Sequence, residues 1–262
     1  MSGIRSEPGR IWRITIDRAE ARNAVSEKML GQIGASLGDA AADPGARVVL
    51  LAGDGGHFCA GADLGEVAET AGPDGFRCGR ALEDVLVAMA DHSLPVVAGV
   101  QGAALGAGCQ LLSAADLVVA AEDARIGIPS SRLGIVIAFE SIERLVLAIG
   151  PRRAADLLIT GREVSGREAA GWGLVTEAVA PDRVGERAEG VAELVASSAP
   201  LSVRGSKRAI AAVLRKLSVD RETEGYRLVE IDMMAADALA SEDLREGLRA
   251  RRERRPPEFQ GA

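Results

Sequence analysis

Between His92 and Ala115 the chain carries no Asp, Glu, Lys or Arg. An uncharged stretch of that length belongs either across a membrane or inside a folded core. Pro95, four glycines (Gly99, Gly102, Gly106 and Gly108), Gln101 and Gln110 interrupt it, and Leu, Ile and Phe are scarce. A continuous lipid-facing helix is therefore the poorer reading. The pattern predicts a buried strand over 95–100, a glycine turn, a buried helix over 106–115 and a further strand over 117–120. A helix start offers unpaired N–H groups, which suit a negatively charged oxygen. The first long polar side chain of this helix is Gln110, which donates and accepts hydrogen bonds but takes up no proton at neutral pH.

The flanking sequence predicts more of the same alternation. Residues 11–17 (IWRITID) alternate as a strand does, and residues 26–42 have helical spacing with Ser26 as N-cap. Residues 47–53 (RVVLLAG) form a short apolar run suited to a strand covered on both faces. A helix can start at Asp63, another is expected over 74–91, and one last strand over 174–179. Alternating strands and helices point to an α/β fold. From about residue 150 helical patterns dominate, over 151–160, 183–197, 201–217, 222–240 and 241–252. A soft boundary near residue 196 divides a core over 1–195 from a helical C-terminal region over 196–262. With 47% hydrophobic but only 3% aromatic residues, the core must be built from Ala, Val, Leu and Ile.

A net charge of −7 argues against general nucleic-acid binding. The cysteines, Cys59, Cys78 and Cys109, form no CxxC pair and read as reduced thiols of a cytoplasmic protein. The opening MSGIRSEPGR has no apolar h-region, so no signal peptide is expected. His57 and His92 are expected to be structural or exposed. There is no HExxH, Cys/His cluster, Walker A pattern or GxSxG elbow. Two glycine-rich turns remain: HFCAGADL (57–64), which holds Ala60, Ala62, Asp63 and Leu64, and ALGAGCQL (104–111). Each alone reads as a close-packing turn. As a pair, each aiming one backbone N–H at a common point, they would form an oxyanion hole.

These turns, with ARNAVS (21–26), RVVLLAGDGGHFCAGADL (47–64), PVVAGVQGAALGAGCQLLSAADLVVA (95–120), RIGIPSSRLGIV (125–136), RLVLAIG (144–150), ADLLITGREVSGREAAGWGLVTEAV (155–179) and EGLRARRERRPPEF (246–259), resemble the enoyl-CoA hydratase/isomerase (crotonase) superfamily over nearly the whole chain. The resemblance implies a spiral of ββα units with a C-terminal helical trimerisation region, and a homotrimer or hexamer. It implies an acyl-CoA ligand, with coenzyme A part of the substrate and no separate cofactor or metal. The hole would be the backbone N–H groups of Ala62 and Ala107, the latter standing where the family usually has glycine. Arg22 matches a basic residue near the CoA phosphates, with Ala60, Asp63 and Leu64 beside it. Phe259 matches a C-terminal aromatic that can reach the adenine of a neighbouring subunit.

The same resemblance places the two glutamates of the hydratases on Gln110 and Ser130, and both are lost. A positioned acid or base is worth about 10²–10⁴-fold, so ordinary hydration is expected to be weak. Two readings follow. Catalysis persists with a relocated carboxylate, for which Glu140 in VIAFES is the candidate, although an exposed helix-start carboxylate is the simpler reading of that residue. Alternatively the protein is a non-catalytic fatty acyl-CoA binder or carrier on the same fold, with the apolar IVIAF segment lining an acyl tunnel. The arginine-rich RARRERRPP run reads as a solvated helix end complementing the dipole, or as a phosphate contact.

Overall fold

The computed structural model describes residues 3–70, 77–218 and 221–261. Its centre is a six-stranded sheet in the order β1-β2-β3-β4-β6-β9. The strands are β1 (Gly3–Glu7), β2 (Ile11–Asp17), β3 (Val48–Gly53), β4 (Val96–Val100), β6 (Leu117–Ala121) and β9 (Glu177–Val179). β1 pairs antiparallel with β2, and every other pairing in this sheet is parallel. A second sheet of three short strands, in the order β5-β7-β8, is built from β5 (Ala103–Leu105), β7 (Arg125–Gly127) and β8 (Glu163–Ser165).

The helices follow the sequence pattern closely where periodicity runs long. α1 (Glu27–Ala42) starts at Ser26, whose side chain accepts the Met29 N–H. α2 (Leu64–Thr70) begins one residue after Asp63. α3 spans Arg77–Ala90, while residues 74–76 of the expected helix lie outside the described residues. α4 (Ala107–Ser113) opens directly after Gly106. α5 (Phe139–Ile149), α6 (Pro151–Thr160) and α7 (Gly166–Trp172) follow. The remainder is helical: α8 (Val184–Ser197), α9 (Pro200–Leu217), α10 (Arg221–Ala240) and α11 (Glu242–Glu253).

Both faces of the central strands are covered, as their apolar runs require. Val48 and Leu50 of β3, with Ile11, Val97 and Val119, pack against Ala188, Val191, Ala192 and Ala196 of α8. Val49 and Leu51 turn to the opposite face and join the larger core with α1 and α3. Gly99 in β4 lets α8 approach: a Cβ there would lie 3.2 Å from that of Ala188. The uncharged stretch is thus interior sheet and helix, and among the described residues no helix is long and apolar enough to cross a membrane.

The ion pair closing this stretch is nearly buried. Lys207 of α9 donates to Met89 O, Leu94 O and the Asp116 carboxylate (2.9, 3.1 and 2.7 Å), and Asp116 also accepts the Val96 N–H. One lysine thereby ties α9 to the sheet.

Where the pattern was short, the structure departs from the sequence reading. β1, β5, β7 and β8 were not anticipated, and the expected strand over 174–179 holds strand geometry only over Glu177–Val179. The three residues of β5, β7 and β8 are too few for a period of two to be legible, and β1 is an edge strand with no buried residue to mark its period.

Candidate functional site

The two glycine-rich turns are clamped together by backbone. Cys59 N–H donates to Ala103 O and Leu105 N–H to Cys59 O (both 2.9 Å), so residues 59–62 run alongside β5. The contact excludes a side chain at Gly108, and positive φ selects glycine at Gly61 and Gly106. A Cβ at Gly108 would lie 2.2 Å from Cys59 O, and one at Gly61, where φ is +120°, would lie 3.3 Å from Leu105 O. Gly106, with φ +54°, would meet Gly61 Cα at 3.7 Å.

This clamp brings Ala62 and Ala107 to one cavity of about 590 Å³. Ala107 is the first residue of α4, so its N–H is one of the orphan donors of a helix start. Ala62 precedes α2 by two residues, paired through a bridge to Val25. Among the described residues neither amide finds a backbone acceptor across the turns. A ligand oxygen entering between them would meet two available donors.

Gln110 and Ser130 both line this cavity. Gln110 is almost fully buried one turn into α4, and its carboxamide has no protein hydrogen-bond partner among the described residues. Ser130 sits in a 3-10 turn over Pro129–Arg132. Three carboxylates reach the wall, those of Glu20, Asp63 and Glu163. Asp63 is bound to Arg18 at 2.6 Å and also accepts the Gly65 N–H. These bonds hold its carboxyl below the usual carboxylate range, the Arg18 hydrogen bond contributing most. Because the folded value is depressed, the stabilisation is present at neutral pH and lost only as pH falls through that lowered value. Glu163 takes a two-pronged bond from Arg125 (2.7 and 3.1 Å).

Six arginines line the same cavity: Arg18, Arg22, Arg125, Arg132, Arg251 and Arg255. In a chain of net charge −7 this is a local excess of positive charge, suited to an anionic ligand. Arg22 and Asn23 both adopt left-handed backbone (φ +50° and +60°). The fully buried Asn23 side chain enforces this turn. Its Oδ1 accepts the Arg18 N–H (2.8 Å), and its Nδ2 donates to Asp54 O and His57 O (2.8 and 2.6 Å). Arg22 is thereby held at the cavity rim, and Ala60 is fixed by donating its N–H to Arg22 O (3.0 Å). Ala60, Asp63 and Leu64 all line the cavity.

One expected residue is not brought there. Glu140 is half-buried in the first turn of α5 and is not part of the cavity wall. The buried face of α5 is set by Ser141, Leu145 and Ile149, and Glu140 lies off it. Phe259, expected at a neighbouring subunit's ligand, is exposed and outside this chain's own wall, whereas Pro257, Arg255 and Arg251 of the same arginine-rich end belong to it. Arg18, Arg125 and Asn23 were missed by sequence reasoning. Asn23 stood in the quoted ARNAVS motif, but the pairing of Arg18 and Arg125 is visible only once the chain has folded.

The histidines are structural. His92 bridges Leu37 O and the Leu94 backbone, and His57 Nδ1 accepts the Ala103 N–H (3.1 Å). The three cysteines are free and buried, and burial pushes their thiols up to about 12. Among the described residues no group of three His, Cys, Asp or Glu side chains is placed to hold a metal ion.

The enoyl-CoA hydratase/isomerase family model matches residues 6–262. A Thermus thermophilus relative carrying the enoyl-CoA hydratase name is 38% identical over 261 residues, covering 98% of this chain and 100% of its own. The carnitinyl-CoA dehydratase of Proteus mirabilis is 34% identical, with 97% of this chain and 96% of its own covered. A solved enoyl-CoA hydratase/isomerase from Pseudoalteromonas atlantica superimposes with a TM-score of 0.84 at 31% identity, over 98% of this chain and 100% of that one.

Proposed function

Since the chain belongs to the enoyl-CoA hydratase/isomerase family, we propose that its cavity holds a fatty acyl-CoA thioester, with the carbonyl oxygen between the Ala62 and Ala107 amides. The observation that supports this is the backbone clamp between the two glycine turns, which sets Ala62 and Ala107 in the lining of one arginine-rimmed cavity. Such donors stabilise a developing enolate oxygen, at roughly 3–4 kcal/mol each. Arg22 meets the CoA phosphates. Coenzyme A enters as part of the substrate, and no separate cofactor takes part in this reading.

Hydration needs a water deprotonated for attack at Cβ and a proton delivered to Cα. Gln110 and Ser130 supply neither at neutral pH. Of the three wall carboxylates, Asp63 and Glu163 are already committed to Arg18 and Arg125, and Glu20 stands at an exposed position. Ordinary hydratase turnover is therefore slow. The two committed carboxylates support the second reading, a non-catalytic acyl-CoA binder or carrier, and leave Glu20 as the one wall carboxylate open to a relocated-base reading.

Calorimetry with an acyl-CoA and the matching free fatty acid tests the site. The thioester should bind more tightly, and its affinity should weaken as salt screens the contact with Arg22. Equal affinities, or no affinity for the thioester, contradict the proposal.

We also propose that the protein works as a homotrimer or hexamer in the cytoplasm. α9 leaves Ile210, Val213, Leu214 and Leu217, which share one helical face, exposed. An exposed apolar stripe of this kind suits an association face. Sedimentation should give a mass of three chains or a multiple of three. A stable monomer at micromolar concentration would exclude that assembly.

A further inference from the structure

A thioester enolate can form in several ways. A base can remove the Cα proton, an activated water can add at Cβ of an enoyl chain, or a carboxylate on Cα can leave as carbon dioxide. Only the first two need a proton acceptor on the protein. The cavity is poor in such groups. Gln110 and Ser130 are neutral, Asp63 and Glu163 are tied to Arg18 and Arg125, and Glu20 is exposed. What it does hold beside Ala107 is a buried amide. Gln110 is 6% exposed and lines the cavity, and its carboxamide has no protein partner among the described residues. It stands three residues beyond Ala107 on α4, so the two share a helix face. A buried amide left without a partner is costly, and a ligand group that accepts from it removes the cost. Buried Val67, Leu82, Leu105 and Ile128 form the apolar part of the same wall. A carboxylate facing such surroundings is poorly solvated, which favours its loss as a neutral molecule.

We infer that the cavity decarboxylates a short 2-carboxyacyl thioester of coenzyme A, of the malonyl type. The inference rests on the acyl-CoA reading of the cavity and adds a substrate class and a reaction to it. The thioester oxygen lies between the Ala62 and Ala107 amides, and the Cα carboxylate accepts a hydrogen bond from Gln110 Nε2. That bond holds the carboxylate out of the thioester plane. The bond from Cα to the carboxylate carbon breaks, and its electron pair becomes the enolate, whose charge gathers on the oxygen between the two amides. Carbon dioxide leaves. The enolate takes a proton from water at Cα, and the hydroxide left combines with the carbon dioxide as bicarbonate. No protein base takes part, so the absence of the two glutamates is no handicap. A glutamate at position 110 would instead oppose the substrate carboxylate, since like charges placed together disfavour each other. Glutamine at that place removes the repulsion and supplies a donor.

The test incubates the full chain with malonyl-CoA and follows acetyl-CoA by chromatography, while calorimetry measures the binding of both thioesters. The native protein should form acetyl-CoA far faster than buffer alone. Ala107→Pro should slow the reaction about 10²–10³-fold, the worth of one hole donor. Gln110→Glu should slow it about tenfold or more, because two carboxylates then face each other. Gln110→Met removes the hydrogen bond without adding charge and should lose about tenfold in kcat. It reads the role of Gln110 even where glutamate disturbs folding. Malonyl-CoA that binds without forming acetyl-CoA overturns the decarboxylation and leaves the thioester site standing. So does a rate that is indifferent to Ala107→Pro or to the folded Gln110 variants. Failure of the native protein to bind either thioester overturns the thioester site, and the decarboxylation with it.

Discussion

The double variant Gln110→Glu, Ser130→Glu should hydrate crotonyl-CoA about 10²–10⁴-fold faster than the native protein, the range a positioned acid/base contributes. Both residues line the cavity that Ala62 and Ala107 also line, so the change introduces carboxylates beside the proposed hole. Each single variant should gain little, because water activation and proton delivery act as a unit and are not additive. Two carboxylates in one cavity oppose each other's ionisation, so folding is checked first by thermal melting. Adding Ala107→Pro to the double variant should then remove about 10²–10³-fold, since one hole donor is gone. Proline is tolerated at the first position of a helix, which keeps α4 intact. A folded double variant that binds crotonyl-CoA and remains inactive would show that the missing glutamates are not what silences hydration. Native turnover at ordinary enzymatic rates, about 1–10³ s⁻¹, would refute the role given to Gln110.

Asn23→Ala should cost about 3–5 kcal/mol of stability and weaken acyl-CoA binding. The side chain is fully buried and makes three hydrogen bonds. Its removal leaves the Arg18 N–H, Asp54 O and His57 O without that partner; these residues are exposed or part-buried, so each lost bond costs about 1 kcal/mol. Alanine also tolerates the left-handed backbone at this position poorly, at a cost of about 1–2 kcal/mol. Asn23→Gly separates the two contributions: it should recover about 1 kcal/mol relative to Asn23→Ala, and no more. Chemical denaturation measures the stability, and calorimetry with an acyl-CoA measures the loss of a correctly presented Arg22. A glycine variant as stable as the native protein would mean that the three bonds contribute nothing.

Long periodic segments were legible in the sequence because their period is their burial. Residues 11–17 alternate since one face of β2 meets the core, and Ser26 announces α1 through the bond its hydroxyl accepts. The site was legible where it depends on backbone. Gly108 is needed because the two turns touch there without a side chain between them, and Gly61 and Gly106 because their φ is positive; glycine spacing records both needs directly. What depends on distant side chains was not legible. Nothing near Asp63 in the sequence indicates that Arg18 neutralises it, and nothing near Arg125 indicates Glu163. Glu140 misled for the same reason in reverse: it stands close in sequence to cavity residues Ile135 and Ile137, yet the face buried by α5 turns it away from the wall.

The contact between α11 and the 130–134 turn has a consequence for how the cavity comes into being. Gly247 packs on the Leu133 backbone, and Gly134 packs on Asp243 and Leu244, so close that a Cβ at either would lie under 3 Å from main-chain atoms. Gly247, Ala250 and Arg251 then form part of the cavity wall. The wall is therefore a pairing of chain segments far apart in sequence, and its loop-closure entropy is met only when everything between them has been arranged. A nascent chain holding both glycine turns but not yet α11 has the amide donors without the enclosing wall. A thioester that binds only the enclosed form adds its own binding free energy to the seating of α11 by mass action, so ligand and helix each report on the other.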